Sequence, residues 1–341
     1  MGVQISGILD KNPVEITDLS GRVIAIDAYN TIYQFLSIIR QPDGTPLMDT
    51  AGRVTSHLSG LLYRTSKFIE AGILPVFVFD GKPPAFKNVT LERREQVKSQ
   101  AEKKLEEALS SGDVEGARKA AQAASRLTKD MVADAKKLLD LMGVPATQAP
   151  SEAEAQAAHM TKRGDAYATA SQDYDSLLFG SPKLVRNLTV TGKKKLPNKE
   201  TYVEVKPELI ELKKVLAGLG ITQEKLVVLG ILVGTDFNAG GVRGIGPKKA
   251  LALVQSKSVD EILTETDFSP YDPQMVLDFF MNPPVEDGYK IEWKKPDEDG
   301  IKKMMVDDHS FSEERVGKVL ETLRKKSPHT QKSLGSWFKG S

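Results

Sequence analysis

Short apolar runs with strand periodicity alternate along this chain with longer amphipathic stretches. Residues 22–27, which contain Val23-Ile24-Ala25-Ile26, and residues 75–80, which contain Val76-Phe77-Val78-Phe79, read as short buried strands, as does 166–171. A helix is predicted over 28–40. From Thr55 to Glu70 the residues Leu58, Leu61, Leu62, Thr65, Phe68 and Ile69 recur at helical spacing, and Gly72 stops the run. From Lys82 to about Asp140 the pattern is polar and helix-favouring, broken at Gly112-Asp113, and Gly143-Val144-Pro145 ends the last helix of that stretch. Further helices are predicted over 151–163, 207–219, 222–234 and Ser312 to Lys325. The segments 184–190 and 201–205 read as a hairpin pair around Lys193-Lys194-Lys195, and Phe268 to Pro296 as Pro-rich and irregular. No internal repeat is visible. Strands alternating with helices predict an α/β fold with a mostly parallel central sheet flanked by helices.

Composition narrows this picture. A chain of 341 residues, 40% hydrophobic, supports one large domain with insertions or two smaller ones. Zero cysteines exclude disulfides and thiolate metal sites. No signal-peptide pattern is present, and no apolar run approaches the roughly 20 residues of a membrane span, so a soluble, intracellular, cytoplasmic protein is expected. A net charge of +1 argues by itself against a nucleic-acid binder. That balance misleads if the acids are pooled at a metal site and the bases lie elsewhere.

The acids are indeed placed unevenly. Asp27 and Asp80 each end an apolar strand, Asp173 and Asp175 follow the strand at 166–171, and Asp236 follows the helix at 222–234. Glu152 and Glu154 sit where Pro150-Ser151 lets a helix begin. Each has a plainer reading: a strand-end turn, an Asx-turn, or a capping box formed by Ser151 and Glu154. Taken together they fall at one sheet edge, where open α/β sheets hold their sites. Burying a carboxylate costs several kcal/mol unless it is paired or binds metal. Oxygen ligands without cysteine suit hard cations, Mg²⁺ or Mn²⁺, and two such ions are the apparatus of phosphodiester cleavage. Two basic features accompany the acids. The stretch Lys87 to Leu109 has too few apolar residues to bury a normal face, so it is solvent-exposed or touches a ligand. Gly244-Ile245-Gly246-Pro247-Lys248-Lys249 opens a helix with its amides outward, which suits a phosphate backbone.

The runs Val76-Phe77-Val78-Phe79-Asp80-Gly81-Lys82-Pro83-Pro84, Pro150-Ser151-Glu152-Ala153-Glu154-Ala155, Ala170-Ser171-Gln172-Asp173-Tyr174-Asp175 and Gly244-Ile245-Gly246-Pro247-Lys248 closely resemble flap endonucleases, as does the start Met1-Gly2-Val3. The likeness covers nearly the whole chain, and the short tail resembles archaeal members. The resemblance implies that Asp27, Asp80, Glu152, Glu154, Asp173, Asp175 and Asp236 surround two Mg²⁺ ions, with Mn²⁺ able to substitute. It implies that Lys87 and Arg94 contact the scissile phosphate and that Tyr33 stacks on a base near the cut. Residues of about 82–130 would form a helical arch admitting a single-stranded 5′ flap. A helix–hairpin element at about 236–256, with Gly244, Gly246, Lys248 and Lys249, would grip duplex DNA through a monovalent cation, K⁺. The loop Asn238 to Arg243 departs from the eukaryotic pattern in length and composition. On this resemblance residues 1–330 form one nuclease domain, with an N-terminal region of about 1–98 and an internal region of about 116–258. Residues 331–341 would form a tail whose Gln331, Leu334, Trp337 and Phe338 bind the sliding clamp (PCNA). The implied activity is removal of 5′ flaps from branched DNA in replication and repair, with 5′-3′ exonuclease activity and a nucleoid-associated location. A haloacid-dehalogenase-type phosphatase would need a second acid on the first strand, and Asp27-Ala28-Tyr29 has none. A DNA-binding scaffold would tolerate gaps in the acidic set, and none is seen. An exonuclease or bubble-cutting relative would carry longer insertions.

Overall fold

Five parallel strands set the direction of the molecule. The computed structural model describes residues 2–41, 44–190, 192–195 and 202–326. Its strands are β1 (Asn12–Pro13), β2 (Val23–Asp27), β3 (Leu74–Phe79), β4 (Ala146–Gln148), β5 (Ala168–Ala170), β6 (Lys183–Arg186), β7 (Gly192–Lys195), β8 (Tyr202–Val205) and β9 (Glu208–Glu211). Among the described residues the main sheet runs β1-β9-β6-β5-β2-β3-β4, and β7 and β8 form a separate ribbon. Strands β6, β5, β2, β3 and β4 are parallel, while β9 is antiparallel to both β6 and β1.

The pleat sorts the apolar residues between the two faces. Ile24, Ile26, Phe77 and Phe79 face a core built with the helices Ala28–Ile38, Ser56–Glu70, Lys129–Leu141 and Glu313–Lys326. Ala25, Val76 and Val78 face the helix Ala153–Lys162 and Trp293. A third core joins the helices Leu212–Leu219, Gln223–Val233, Pro247–Ser256 and Pro273–Met281 beside the sheet. Because the strands are parallel and covered on both sides, their carboxyl ends share one edge, and the loops leaving that edge carry the acids.

Three sequence expectations are corrected by this arrangement. Residues 201–205 do not pair with 184–190: β8 pairs with β7, so Lys193-Lys194-Lys195 lie in a strand, and β6 pairs with β5 and β9. The predicted helix 207–219 starts with strand β9, where backbone pairing to β6 and burial of Ile210 prevail, and the helix begins at Leu212. The segment 268–296 is not irregular throughout. Asp272 Oδ1 accepts from the backbone N–H groups of Gln274 (2.9 Å) and Met275 (3.2 Å), Pro273 takes the first helical position, and the helix buries Val276, Leu277, Phe279 and Phe280.

The polar stretch after β3 forms a pair of helices, Asn88–Ser111 and Val114–Ala123, packed against each other. Val97 is half exposed on the first of them. Arg126 ties its Nε to Glu102 at 2.7 Å and also pairs with Glu95. Arg40 anchors the far side through Ala121 O at 2.9 Å and Ser125 Oγ at 2.5 Å. This helical pair lies within the segment of about 82–130 expected to form an arch.

Candidate active site

Strand ends and helix starts deliver the acids. Asp27 is the last residue of β2 and also caps the following helix, its Oδ1 accepting from Asn30 N at 3.0 Å. Asp80 immediately follows β3 and accepts from Ala153 N at 2.7 Å. Glu152 caps the helix Ala153–Lys162 by position without a side-chain bond, and Glu154 lies in its first turn. The capping box of Ser151 and Glu154 is therefore not formed, and Glu154 instead accepts from Ser176 Oγ at 3.4 Å. Asp173 and Asp175 follow β5. Asp173 accepts from Asn30 Nδ2 at 2.8 Å, and Asp175 from the backbone N–H of Val3 at 2.7 Å. Asp236 leaves the helix Gln223–Val233 three residues after its end.

The electrostatics show that these groups form one set. Burial holds Asp27 well above the usual carboxylate range, reinforced by Asp80, Asp173 and Glu152. Burial pushes Asp80 up to about 6, with help from Glu152 and Asp236 and against the pull of Ala153 N–H and Lys87. Glu154 is raised well above its ordinary value by burial and then by Asp175, Asp27 and Asp173. Asp175 reaches about 8 through burial, Asp236 and Asp173. Every one of the seven acids thus feels, or is felt by, another member. Among the described residues no three acidic or histidine side chains are already drawn into a closed coordination shell; protein N–H groups hold four of them. The donor chemistry nonetheless fits hard divalent cations. It consists of buried carboxylate oxygens whose mutual repulsion a cation of high charge would relieve.

One cation of the protein lies among them. Lys87 is buried in a short turn, Ala85–Lys87, at the foot of the helical pair, and its Nζ donates to Glu152 at 2.6 Å. Burial alone would pull this ammonium down. Glu152, Asp236 and Asp80 outweigh that effect and raise it, so Lys87 stays protonated. A buried acidic set with one embedded ammonium, at the foot of a pair of polar helices, has the chemistry of a site for a phosphodiester.

The protein-family comparisons agree with this geometry. Residues 1–101 match the XPG N-terminal domain and residues 143–236 match the XPG I-region. The chain is 58% identical over 339 residues to flap endonuclease 1 of Pyrococcus abyssi, covering 99% of this chain and 98% of that one. It is 57% identical over 340 residues to the Pyrococcus furiosus protein of the same name, covering 99% and 100%. The solved structure of flap endonuclease-1 from Methanococcus jannaschii superposes with a TM-score of 0.76 at 43% identity, over 94% of this chain and 98% of that chain. The chain belongs to the flap endonuclease family. It is a structure-specific nuclease acting on branched DNA by phosphodiester hydrolysis, and like flap endonucleases generally it depends on a divalent metal. No single helix among the described residues is long and apolar enough to cross a membrane.

Within this flap endonuclease the expected residues Tyr33 and Gly244 to Lys249 belong to other elements than the acids' strand ends. The half-buried Tyr33 ring receives Lys98 Nζ from the helical pair, 5.1 Å from its centroid, with Tyr33 OH 3.3 Å from that nitrogen. Arg94 lies on the helix Asn88–Ser111, and its side chain is outside the described part. Gly244, Gly246, Lys248 and Lys249 are exposed around the start of the helix Pro247–Ser256, and Lys249 Nζ donates to Gly244 O at 3.1 Å. Gly246 has an ordinary φ of −96° and open space where a Cβ would point, so nothing inside the chain requires glycine there. Gly241, at φ +55°, does need to be glycine: a Cβ would come within 2.4 Å of the Val233 backbone. Gln331, Leu334, Trp337 and Phe338 lie outside the described residues. Sequence reasoning missed Asn30, whose backbone and amide reach Asp27 and Asp173. Its signal was the spacing of a helix cap, an acid followed three residues later by the group it binds. It also missed Gly2, whose missing side chain lets the backbone pack against Asp173 and Asp175.

Proposed function

We propose that this flap endonuclease removes 5′ single-stranded flaps from branched DNA, and trims 5′ ends exonucleolytically, with two Mg²⁺ ions held by Asp27, Asp80, Glu152, Glu154, Asp173, Asp175 and Asp236. The elevation of Asp27, Asp80, Glu154 and Asp175 by burial and by the neighbouring acids, beside a protonated Lys87, carries the reading. When bound, two divalent ions supply activation of the attacking water and neutralisation of the phosphate, and Mn²⁺ has the right chemistry to replace Mg²⁺. The chain's own residues prepare the rest. Asn30 and the backbone N–H groups of Val3 and Ala153 fix the orientation of Asp173, Asp175 and Asp80, so the oxygens aimed at cations are set before substrate arrives. Lys87 keeps its proton and offers positive charge where the scissile phosphate gains negative charge, with Arg94 as its partner from the arch. Tyr33, once released from Lys98, offers a ring for the base beside the cut.

The same reading assigns residues of about 82–130 to the arch that admits the flap, inside a nuclease unit of 1–330. The exposed turn Gly244 to Lys249 grips the duplex phosphates, with K⁺ as the expected bridging ion. Gln331, Leu334, Trp337 and Phe338 of the tail 331–341 are assigned to the sliding clamp, whose pocket would take the aromatic pair. This role places the protein at the nucleoid, in replication and repair. The test is cleavage of end-labelled flap, nick, bubble and hairpin DNAs with Mg²⁺ and with EDTA. The flap should be cut fastest, and only with Mg²⁺. Preferential bubble cutting would assign the chain to a different branch of structure-specific nucleases.

A further inference from the structure

Phe237 directly follows Asp236 and stands where three parts of the molecule meet. Its ring is 2% exposed. It packs against Phe86 at 5.6 Å, Phe279 at 4.9 Å and Phe280 at 5.2 Å between centroids. Phe86 precedes Lys87 at the foot of the arch, and Phe279 and Phe280 belong to the helix Pro273–Met281. The backbone leading out of Phe237 continues to the exposed turn at Gly244. The ring itself cannot drift. Phe237 N donates to Thr235 Oγ1 at 3.1 Å, Thr235 Oγ1 donates to Asn238 Oδ1 at 2.7 Å, and Asn238 Nδ2 donates to Ile231 O at 2.6 Å.

One face of this fixed ring is turned to Lys87, whose Nζ lies 5.2 Å from the centroid while donating to Glu152 at 2.6 Å. A lysine on a flexible stem, surrounded by carboxylates, is drawn toward whichever acid is nearest. The electron-rich face of an aromatic ring attracts the same ammonium as a second partner without neutralising it. The ammonium is thereby held by both Glu152 and the ring.

We propose that Phe237 is a positioning residue: its ring face holds the Lys87 ammonium at the rim of the acidic set, and through Phe86 it links that placement to the loop that leads to the duplex-facing turn. The assignment rests on Lys87 being the phosphate-facing cation. An apolar side chain of similar bulk fills the space but lets the ammonium sink toward the carboxylates, where it is worth less to the transition state than to the resting enzyme.

Wild type, Lys87→Ala, Phe237→Leu, Phe237→Tyr and the Lys87→Ala/Phe237→Leu double variant are compared on one flap substrate. Single-turnover rates are read with Mg²⁺, dissociation constants with EDTA, and Tm for each. Phe237→Leu should slow the single-turnover step roughly tenfold, the size of a desolvated cation–π contact, with little change in affinity. Phe237→Tyr, which keeps the ring face, should recover most of that loss. In the Lys87→Ala background the leucine should add nothing further, because the group it acts through is gone. Equal slowing by Leu and Tyr, independent multiplication of the two single effects, or a loss confined to affinity would each overturn the assignment. If Phe237→Leu unfolds below the assay temperature, Phe237→Met, flexible and of similar bulk, takes its place with the same expectations. A Lys87→Ala enzyme with the wild-type rate would refute the reading of Lys87, and the role of Phe237 would fall with it.

Discussion

Replacing Asp175 by Asn should make the metal-free protein more stable. Burial together with Asp236 and Asp173 raises Asp175 from 3.8 to about 8. Its pKa is thus higher in the folded than in the unfolded chain, and the folded state holds the proton more tightly. That contribution favours folding fully below pH 4 and is lost as the pH rises through about 8. At about 1.36 kcal/mol per pH unit, the interval from 3.8 to 7 corresponds to about 4 kcal/mol of folding free energy forgone at neutral pH. Asparagine removes the charge and keeps an oxygen for the Val3 N–H, which Asp175 accepts at 2.7 Å. Its new amide hydrogens need acceptors, which costs about 1–3 kcal/mol where the fit is imperfect. A net gain of about 2 kcal/mol is expected at pH 7, a rise of roughly 2–5 °C in Tm for a chain of this size. The assay is thermal unfolding of both proteins from pH 4 to pH 9 in EDTA, and again with Mg²⁺. The gap should be widest at high pH and vanish or invert near pH 4. Mg²⁺ should narrow it, because a ligand binding the folded wild type stabilises it by mass action. A variant no more stable than wild type at pH 8 in EDTA would refute the claim that charge crowding strains this site.

His57 titrates in the opposite sense. It is fully buried, neither ring nitrogen has a protein partner, and burial together with His309 lowers it to about 4. Its contribution is present above about pH 6.5 and is lost, by about 3 kcal/mol, as the pH falls to 4. His57→Leu should therefore flatten the urea-unfolding profile across that window, and an unchanged slope would contradict the assignment. Gly246→Val should cost at most about 1 kcal/mol in stability, since the site is open and φ is ordinary, while weakening binding to every duplex alike. Loss of affinity for some sequences and not others would argue for base reading. Removing residues 331–341 should leave unassisted cleavage intact and abolish stimulation by the sliding clamp, by loss of tethering. Equal stimulation of the truncated enzyme would remove the tail from that role.

The sheet was legible because its strands are buried on both sides. Val23 to Asp27 and Val76 to Asp80 are apolar runs ended by a charge, and a parallel, covered strand leaves few other readings. The acids could be read as a set because parallel topology brings strand ends to one edge, a consequence of strand order rather than of spacing. What escaped the sequence depends on pairing between distant segments. Glu208-Leu209-Ile210-Glu211 carries no mark of whether it will extend along Lys183–Arg186 or coil into the following helix, and only the exposed edge of β6 decides. The role of Asn30 needs β2 and β5 side by side, and the stacking of Phe237 on Phe86 needs the foot of the arch against a loop some 150 residues away. Asp272-Pro273 was a readable helix start, outweighed by the prolines around it.

The buried carboxylates work through divalent metal on a bound flap if the proposed chemistry holds. Asp80→Asn and Asp173→Asn, assayed on a labelled 5′-flap DNA across a Mg²⁺ titration with the dissociation constant measured in parallel, test it most directly. Asp80 belongs to the strained set and Asp173 is held by Asn30, so each change removes one charge with little change of shape. Each variant should lose cleavage by orders of magnitude with DNA affinity preserved, and wild type should not cleave in EDTA. Cleavage by either variant at the wild-type rate, or turnover by wild type without divalent metal, would contradict it.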